Sequence, residues 1–523
     1  MSNQANIIKR QKVVYGPPLP PLKRLRRSNN SDSNPVAGAS SGSGSSSNKN
    51  AVARVGSVEL NHDVVHHILT LLPVDKCIKA RGLATRFKDS WRFARRLHFG
   101  REFVKEFRLE PMEFADTVDR VFRFHRGPEI KSFHIYIDPD HDYVARIALK
   151  KWLSKCKEKG VEELDLEVFS IERFPDYFVP SRVLDVETLK VLKLTFCVFT
   201  LPPLGKGLSL LTTLILTRVN IIEQYLQTIF SHCLLLETLD MTWCEGFRDL
   251  VVCTPYLKRF RVLKIANSGS SVETVTVYAP SLQYFFYTGQ FPGFQIISQP
   301  MVHLKQAMIK FNPITVFTSY WQIENLVSAV CMVGVLTITG TFLEGLSPRC
   351  VNGRLKEKDF SLWNLKELHL ILQKHCFCNV TDIACFLKNT PSLERLFIDM
   401  RACRFEFNHG PYWELHLQPL LETSNVGWFK FLTIIKIHGF AFEPHHMLLV
   451  NFIVQRAICL ESLILIFVRN YSKTSPGYWQ NYNHLQECFF AWRISSKARL
   501  SVYFSANDRS GVHPQHSRIW KGR

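Results

Sequence analysis

His375, Cys376, Cys378 and Cys385 put imidazole and thiolate groups, both zinc ligands, into one short stretch of the chain. Their spacing argues against a metal centre, because Cys-x-Cys is not the spacing of a zinc knuckle and no second ligand pair follows at finger distance. The rest of the 14 cysteines are scattered, and no two stand as Cys-x-x-Cys. Buried free thiols are expected, with no metal and no disulfide framework. His66-His67 and His445-His446 fall in helical stretches and read as surface or satisfied core histidines. Cys77 has only nearby lysines around it, not the arrangement that activates a thiol. The motifs G-x-x-x-x-G-K-[ST], G-x-G-x-x-G before a helix and H-E-x-x-H are missing, and G-x-S-x-G occurs only as Gly38-Ala39-Ser40-Ser41-Gly42 inside a Ser/Gly-rich stretch rather than between a strand and a helix, so phosphate, dinucleotide, acyl-transfer and zinc-protease chemistry lack a starting point. The expectation is a non-catalytic chain that needs no cofactor.

Recognition chemistry has better candidates. Arg259 and Arg261 offer two guanidinium groups, and Tyr284 and Phe286 two aromatic rings. Arginine forks hold a carboxylate or phosphate and rings cover apolar surface, a combination typical of interface hot spots. Whether the four meet depends on the elements that carry them.

Those elements show as an apolar triplet at i, i+3 and i+5. It is clear at Leu189/Leu192/Leu194, Leu211/Leu214/Leu216 and Leu236/Leu239/Met241. It continues through Leu257/Phe260/Val262, Leu282/Phe285/Tyr287, Leu304/Ala307/Ile309, Leu365/Leu368/Leu370, Leu393/Leu396/Ile398, Leu432/Ile435/Ile437 and Leu460/Leu463/Leu465. Weaker copies stand at Ile130/Phe133/Ile135, Val161/Leu164/Leu166 and Val333/Leu336/Ile338. A turn-like first step followed by period two describes a short strand with its apolar side chains on one face. One such strand cannot bury itself, but a stack can, so the chain reads as a solenoid. Intervals of roughly 20 to 30 residues leave room for a returning helix or loop, such as 221–230 with Ile222, Leu226 and Ile229 on one stripe. Positions i+2 and i+4 then face outward: Glu163 and Asp165, Val191 and Lys193, Thr213 and Ile215, Thr238 and Asp240, Arg259 and Arg261, Tyr284 and Phe286, Gln306 and Met308. This reading sets the arginine pair beside the aromatic pair on adjacent strands, as a substrate-holding patch.

The chain has 523 residues, 46% of them hydrophobic, and a formal net charge of +20. No apolar run approaches the length needed to cross a bilayer, and the first residues carry charge where a secretory signal needs an apolar stretch. A soluble intracellular protein of the nucleus or cytoplasm is expected. Lys9, Arg10, Lys12, Lys23, Arg24, Arg26 and Arg27 form two basic clusters around a Pro-rich spacer, the layout of a bipartite nuclear-import signal. A solvated basic tail is the plainer reading of the same residues. The remaining positive surplus favours an acidic or phosphorylated protein partner, and no zinc-finger, RNP or basic-zipper pattern points to nucleic acid.

Residues 28–50 are nearly all Ser, Gly, Asn and Ala, a flexible linker. From Leu60 the period becomes helical, and three short helices are expected before residue 97. Leu60-Asn61-His62-Asp63-Val64-Val65-His66-His67-Ile68-Leu69-Thr70-Leu71-Leu72-Pro73, with Leu83-Ala84-Thr85-Arg86-Phe87-Lys88-Asp89-Ser90-Trp91, resembles the F-box of plant proteins. It departs from that pattern at Asn61, Lys76, Gly82 and Phe87. Further on, Leu432 to Phe440, Leu449 to Ala457 and Leu460 to Leu465 resemble the FBD region that closes many F-box proteins of the leucine-rich-repeat type, and Leu500 to Phe504 supplies a last strand.

The resemblance implies an α+β chain: a small helical F-box domain, then a curved leucine-rich-repeat solenoid with a parallel inner sheet. The domains divide as a disordered basic arm and linker (1–56), the F-box (57–100), the solenoid (101–425), FBD-like repeats (426–505) and a flexible tail (506–523). It further implies that Leu60, Val64, Val65, Ile68, Leu69, Leu71, Leu72, Pro73, Leu83 and Trp91 bind a Skp-type adaptor and through it a cullin scaffold, while the repeats hold a protein for ubiquitination. These apolar side chains are too many for three short helices to hide among themselves. The competing expectation is a leucine-rich-repeat scaffold, nuclear if the arm directs import, that recruits no ligase.

Overall fold

The computed structural model describes residues 90–518 except 108–110, 139–141, 170–174, 176, 201–206, 268–271, 292, 296–300, 313–320, 347–349, 352–353, 356–359, 375–379, 403–427, 469–472 and 506–507, together with His67, Ile68, Leu71, Leu72, Val74 and Lys76. The import clusters, the linker, and Leu60, Val64, Val65, Leu69, Pro73 and Leu83 lie outside the described residues, as do His375, Cys376 and Cys378.

The first strands are β1 (Arg96–Phe99), β2 (Ser132–Ile137), β3 (Glu163–Val168), β4 (Val191–Thr195), β5 (Thr213–Thr217), β6 (Thr238–Thr242) and β7 (Asp249–Cys253). Next come β8 (Val262–Ala266), β9 (Thr274–Tyr278), β10 (Tyr284–Gly289), β11 (Gly293–Gln295), β12 (Gln306–Phe311), β13 (Val335–Thr339), β14 (Cys350–Val351) and β15 (Arg354–Leu355). The set ends with β16 (Glu367–Ile371), β17 (Arg395–Asp399), β18 (Ile434–Phe440), β19 (Ser462–Phe467) and β20 (Arg499–Tyr503). Fifteen of these make one sheet in the order β1-β2-β3-β4-β5-β6-β8-β10-β12-β13-β16-β17-β18-β19-β20, and every pairing within it is parallel. Parallel neighbours need a crossover on each return. Helices Pro111–Phe124, Asp142–Glu158, Glu223–His232, Val380–Lys388, Pro444–Val454 and Tyr478–Trp492 supply several of them. Elsewhere the return is extended: β7, β9 and β11 form a second parallel sheet, and single bridges link Phe178, Val198, Asn220 and Glu245 in series.

The triplets are what the stack buries. Leu189, Leu192 and Leu194, then Leu211, Leu214 and Leu216, then Leu236, Leu239 and Met241 are fully enclosed, and the same columns continue to Leu463 and Leu465. Two expectations are corrected. The sheet begins at Arg96, inside the span assigned to the F-box, because Leu97 and Phe99 complete a triplet whose first member is the buried but small Ala94. The triplet on β8 is Phe260/Leu263/Ile265, three residues later than Leu257/Phe260/Val262, since Leu239 pairs with Leu263 and Met241 with Ile265.

Each of four successive strands ends on a left-handed residue: Phe196, Arg218, Trp243 and Asn267, with φ between 48° and 57°. Their N–H groups donate to the next repeat, Arg218 to Thr242 O at 2.7 Å and Trp243 to Ala266 O at 2.8 Å. Gly439, in the FBD-like motif, bulges β18 at φ 85°, and a Cβ there would stand 2.6 Å from the Arg401 amide nitrogen. Only glycine fits that approach without displacing backbone.

Candidate protein-interaction face

Alternate residues of the large sheet point away from the core, and parallel pairing in register lines them up in rows. One row runs His98, His134, Asp165, Lys193, Ile215, Asp240, Lys264, Phe286, Met308, Thr337, His369, Phe397, Lys436 and Ile464. Its two halves differ in chemistry.

Over β1 to β8 the row is polar or charged except at Ile215, and partly exposed. The His98 and His134 rings meet edge to face at 4.1 Å with their Nδ1 atoms 3.1 Å apart. His134 also stands 3.6 Å from Glu167 and 3.9 Å from Asp165. Arg101 reaches Glu167 and lies over the Tyr136 ring at 5.1 Å. His134 and Arg101 draw the Glu167 carboxyl below its usual range against the pull of burial, while burial moves Asp165 upward despite His134 and Lys193. Lys193 Nζ donates to Glu163 at 2.5 Å and Lys264 Nζ to Asp240 at 2.7 Å. Opposite charges thus pair from strand to strand. Pairs of this kind, partly open to water, can exchange partners with an incoming charged surface.

Of the anticipated substrate patch, half is displaced. Because β8 sits three residues later, Arg259 and Arg261 are exposed in the turn before the strand, and its outward positions are Val262 and Lys264. Tyr284 does begin β10, donating its N–H to Arg261 O at 2.9 Å, and its ring stacks on Phe286 at 6.5 Å. Phe286 is buried, so it offers no free ring.

Phe286 is covered by a segment that the sequence reading treats as a flexible tail. Residues 508–518 instead lie across the outward face from β18 back to β12. Lys436 Nζ, in a side chain 7% exposed, donates to Asp508 at 2.7 Å, Ser510 Oγ at 2.8 Å and Val512 O at 2.6 Å. Gln515 N–H donates to Glu367 at 2.7 Å, a carboxylate 1% exposed that also pairs with Arg395 at 2.7 Å. His516 lies 2.8 Å from Thr337 Oγ1 and 3.2 Å from Gln306 Oε1, and its ring meets Phe286 edge-on at 5.6 Å. Sequence reasoning missed this because the segment is polar and aperiodic and its hydrogen-bond partners stand 72 to 210 residues away.

Four of the ten anticipated adaptor residues are described. Ile68 and Leu71 are 45% and 50% exposed, whereas Leu72 and Trp91 pack half-buried against the core, with the Arg92 guanidinium 5.7 Å from the Trp91 ring. Among the described residues no helix is long and apolar enough to cross a membrane, and no group of His, Cys, Asp and Glu could hold a metal ion.

The family model described as "At1g61320/AtMIF1, LRR domain" matches residues 121–498. The chain is 31% identical over 416 residues to the putative FBD-associated F-box protein At1g61330 of Arabidopsis thaliana, covering 79% of this chain and 91% of that one. It is 31% identical over 408 residues to FBD-associated F-box protein At1g61320 of the same organism, covering 77% and 86%. F-box/LRR-repeat protein At4g14103, also from Arabidopsis thaliana, is 24% identical over 357 residues, covering 64% and 89%.

Proposed function

The chain belongs to the At1g61320/AtMIF1 leucine-rich-repeat family of FBD-associated F-box proteins, and on that premise we propose that it is the substrate-recognition subunit of an SCF-type cullin ubiquitin ligase. The segment before β1 binds a Skp-type adaptor, the adaptor bridges to the cullin, and the outward face of the repeats holds the protein to be ubiquitinated. The supporting observation is Ile68 and Leu71, apolar side chains left half in water just ahead of a sheet that buries its leucines from Leu97 on β1 to Leu465 on β19. Fully burying such a side chain contributes about 1.5–3 kcal/mol and covering its exposed half roughly half as much, so several anchors together sustain a contact after association costs.

The test is co-purification of the full chain with a Skp-type adaptor. Wild type retains it, and Ile68→Asp with Leu71→Asp loses it while the unfolding temperature of the repeats is unchanged. Equal retention by the double variant, or none by wild type, leaves the chain as a scaffold without a ligase. The basic arm is proposed to direct nuclear import: a fluorescent fusion carrying Lys9→Ala, Arg10→Ala, Arg26→Ala and Arg27→Ala should redistribute to the cytoplasm, and an unchanged distribution rejects that role.

A further inference from the structure

We propose that the outward face from β10 to β18 is a docking groove for a peptide segment that crosses it irregularly and ends in a 3-10 turn, that residues 508–518, with the turn at Gln515–Arg518, are its occupant in cis, and that its partner is a chain segment bearing a carboxylate and, eight residues later, an imidazole or aromatic ring. The inference rests on the reading of this face as the substrate surface and names the ligand chemistry of its second half.

The groove is built like a binding site. At its β18 end Lys436 sets all three of its donated hydrogen bonds on the segment: a carboxylate, a hydroxyl and a backbone carbonyl. In the middle the buried Glu367 carboxylate takes a backbone N–H, that of Gln515. At the far end Thr337, Gln306 and the Phe286 ring form three sides of a seat for the His516 imidazole.

Distances agree with an occupant that crosses the face before its 3-10 turn at Gln515–Arg518. From β18 to β12 is four strand spacings, about 19 Å at roughly 4.8 Å each. The six steps from Asp508 to Pro514 can reach up to about 20 Å, and the two into the 3-10 turn add about 4 Å, enough to cross. Gly511 lies on this path at φ 67°.

Selectivity is sparse. The Val512 carbonyl and Gln515 N–H are main-chain groups that any peptide carries, so the groove reads chiefly the carboxylate at one end and the ring at the other. A tethered occupant works at an effective concentration near the millimolar range, so a free peptide competes poorly until the cis segment is weakened.

The experiment uses the full chain and a fluorescein-labelled peptide of residues 506–518. In the variant Asp508→Lys with His516→Ala the cis segment loses both ends, and the peptide should bind at least about tenfold more tightly than to wild type. Adding Lys436→Glu to that variant should abolish binding. Equal affinity for wild type and the opened variant overturns the proposal. So does binding that survives Lys436→Glu, or equal binding of a scrambled peptide of the same charge, which would reveal a charge patch without register.

A second measurement stands apart from the stability of the opened chain. Lys436→Glu alone should expose amides 508–518 to hydrogen exchange, and Lys436→Glu with Asp508→Lys should restore protection. Failure of the swap overturns the pairing. Neither readout involves the adaptor, so a chain that fails to bind a Skp-type protein can still pass both tests, and the reverse.

Discussion

A side chain at position 439 would collide with the backbone of Arg401, and the positive φ there adds strain for any residue but glycine. Gly439→Ala should therefore cost about 1–3 kcal/mol, measured as a lower urea midpoint with an unchanged slope. Cysteine reactivity also follows from placement. Burial pushes the Cys233 thiol up to about 12 and those of Cys156 and Cys197 higher still, while Cys253 and Cys459 are exposed. Iodoacetamide on the native protein should label Cys253 and Cys459 well before Cys156, Cys197 or Cys233, as mass spectrometry of digests would show. His516 gives the cis segment a pH dependence. Burial, with Lys310 adding to it, lowers its imidazole from 6.5 to about 4. Between those values a released imidazole takes up a proton that the docked one refuses, so docking is full above about pH 6.5 and weakens toward pH 4. His369, also lowered to about 4, acts in the same direction, while Glu367, raised by burial, opposes it. Burial raises Asp508, but hydrogen bonds from Lys436 and Ser510 outweigh it and hold the group at about 2, so it stays charged throughout this window. Hydrogen exchange of amides 508–518, corrected for intrinsic rate, should rise from pH 7 to pH 5 in wild type and by clearly less in His516→Asn. An equal rise in both would assign the effect elsewhere.

The four left-handed strand exits each hold a side chain where glycine would be easier, at roughly 1 kcal/mol apiece. Arg218 is exposed and its N–H bond to Thr242 O survives substitution, so Arg218→Gly should raise the unfolding free energy by up to about 1 kcal/mol, as denaturant titration would report. At this scale the sequence was largely readable, since twelve of the thirteen triplets fall on strands in the expected register. The exception has a physical cause. Leu257, Phe260, Val262, Leu263 and Ile265 satisfy the i, i+3, i+5 rule in two overlapping ways, and all but Val262 are buried. Pairing with β6 selects the later register, and pairing is not written in a single strand. The same slip removed Arg259 and Arg261 from the face. Strand β1 escaped notice because alanine stands where its triplet should open, and β7 and β9 because their triplets, Phe247/Leu250/Val252 and Val272/Val275/Val277, stand too close to the copies on either side for a repeat of roughly 20 to 30 residues.

Stacked repeats make stability nearly a sum over neighbours. Leu239 is enclosed by repeats on both sides, so Leu239→Ala should cost about 2–5 kcal/mol, whereas Leu500, on the half-exposed last strand, should cost less in Leu500→Ala. Equal losses in thermal or urea unfolding would mean that β20 is as well covered as β6. Periodicity reported this architecture from sequence because each repeat must bury the same few positions. It could not report the docked segment, whose hydrogen-bond partners are single polar groups on four separate strands. That segment has a temporal consequence. Its residues are synthesised after all fifteen strands, and Asp508 follows Lys436 by 72 positions. At about 5–20 residues per second, the lysine waits about 4–14 s on the ribosome for its carboxylate. Throughout that interval the nascent protein presents an unplugged groove, so a ligand already at hand during translation meets no competitor, while one arriving later must evict a resident.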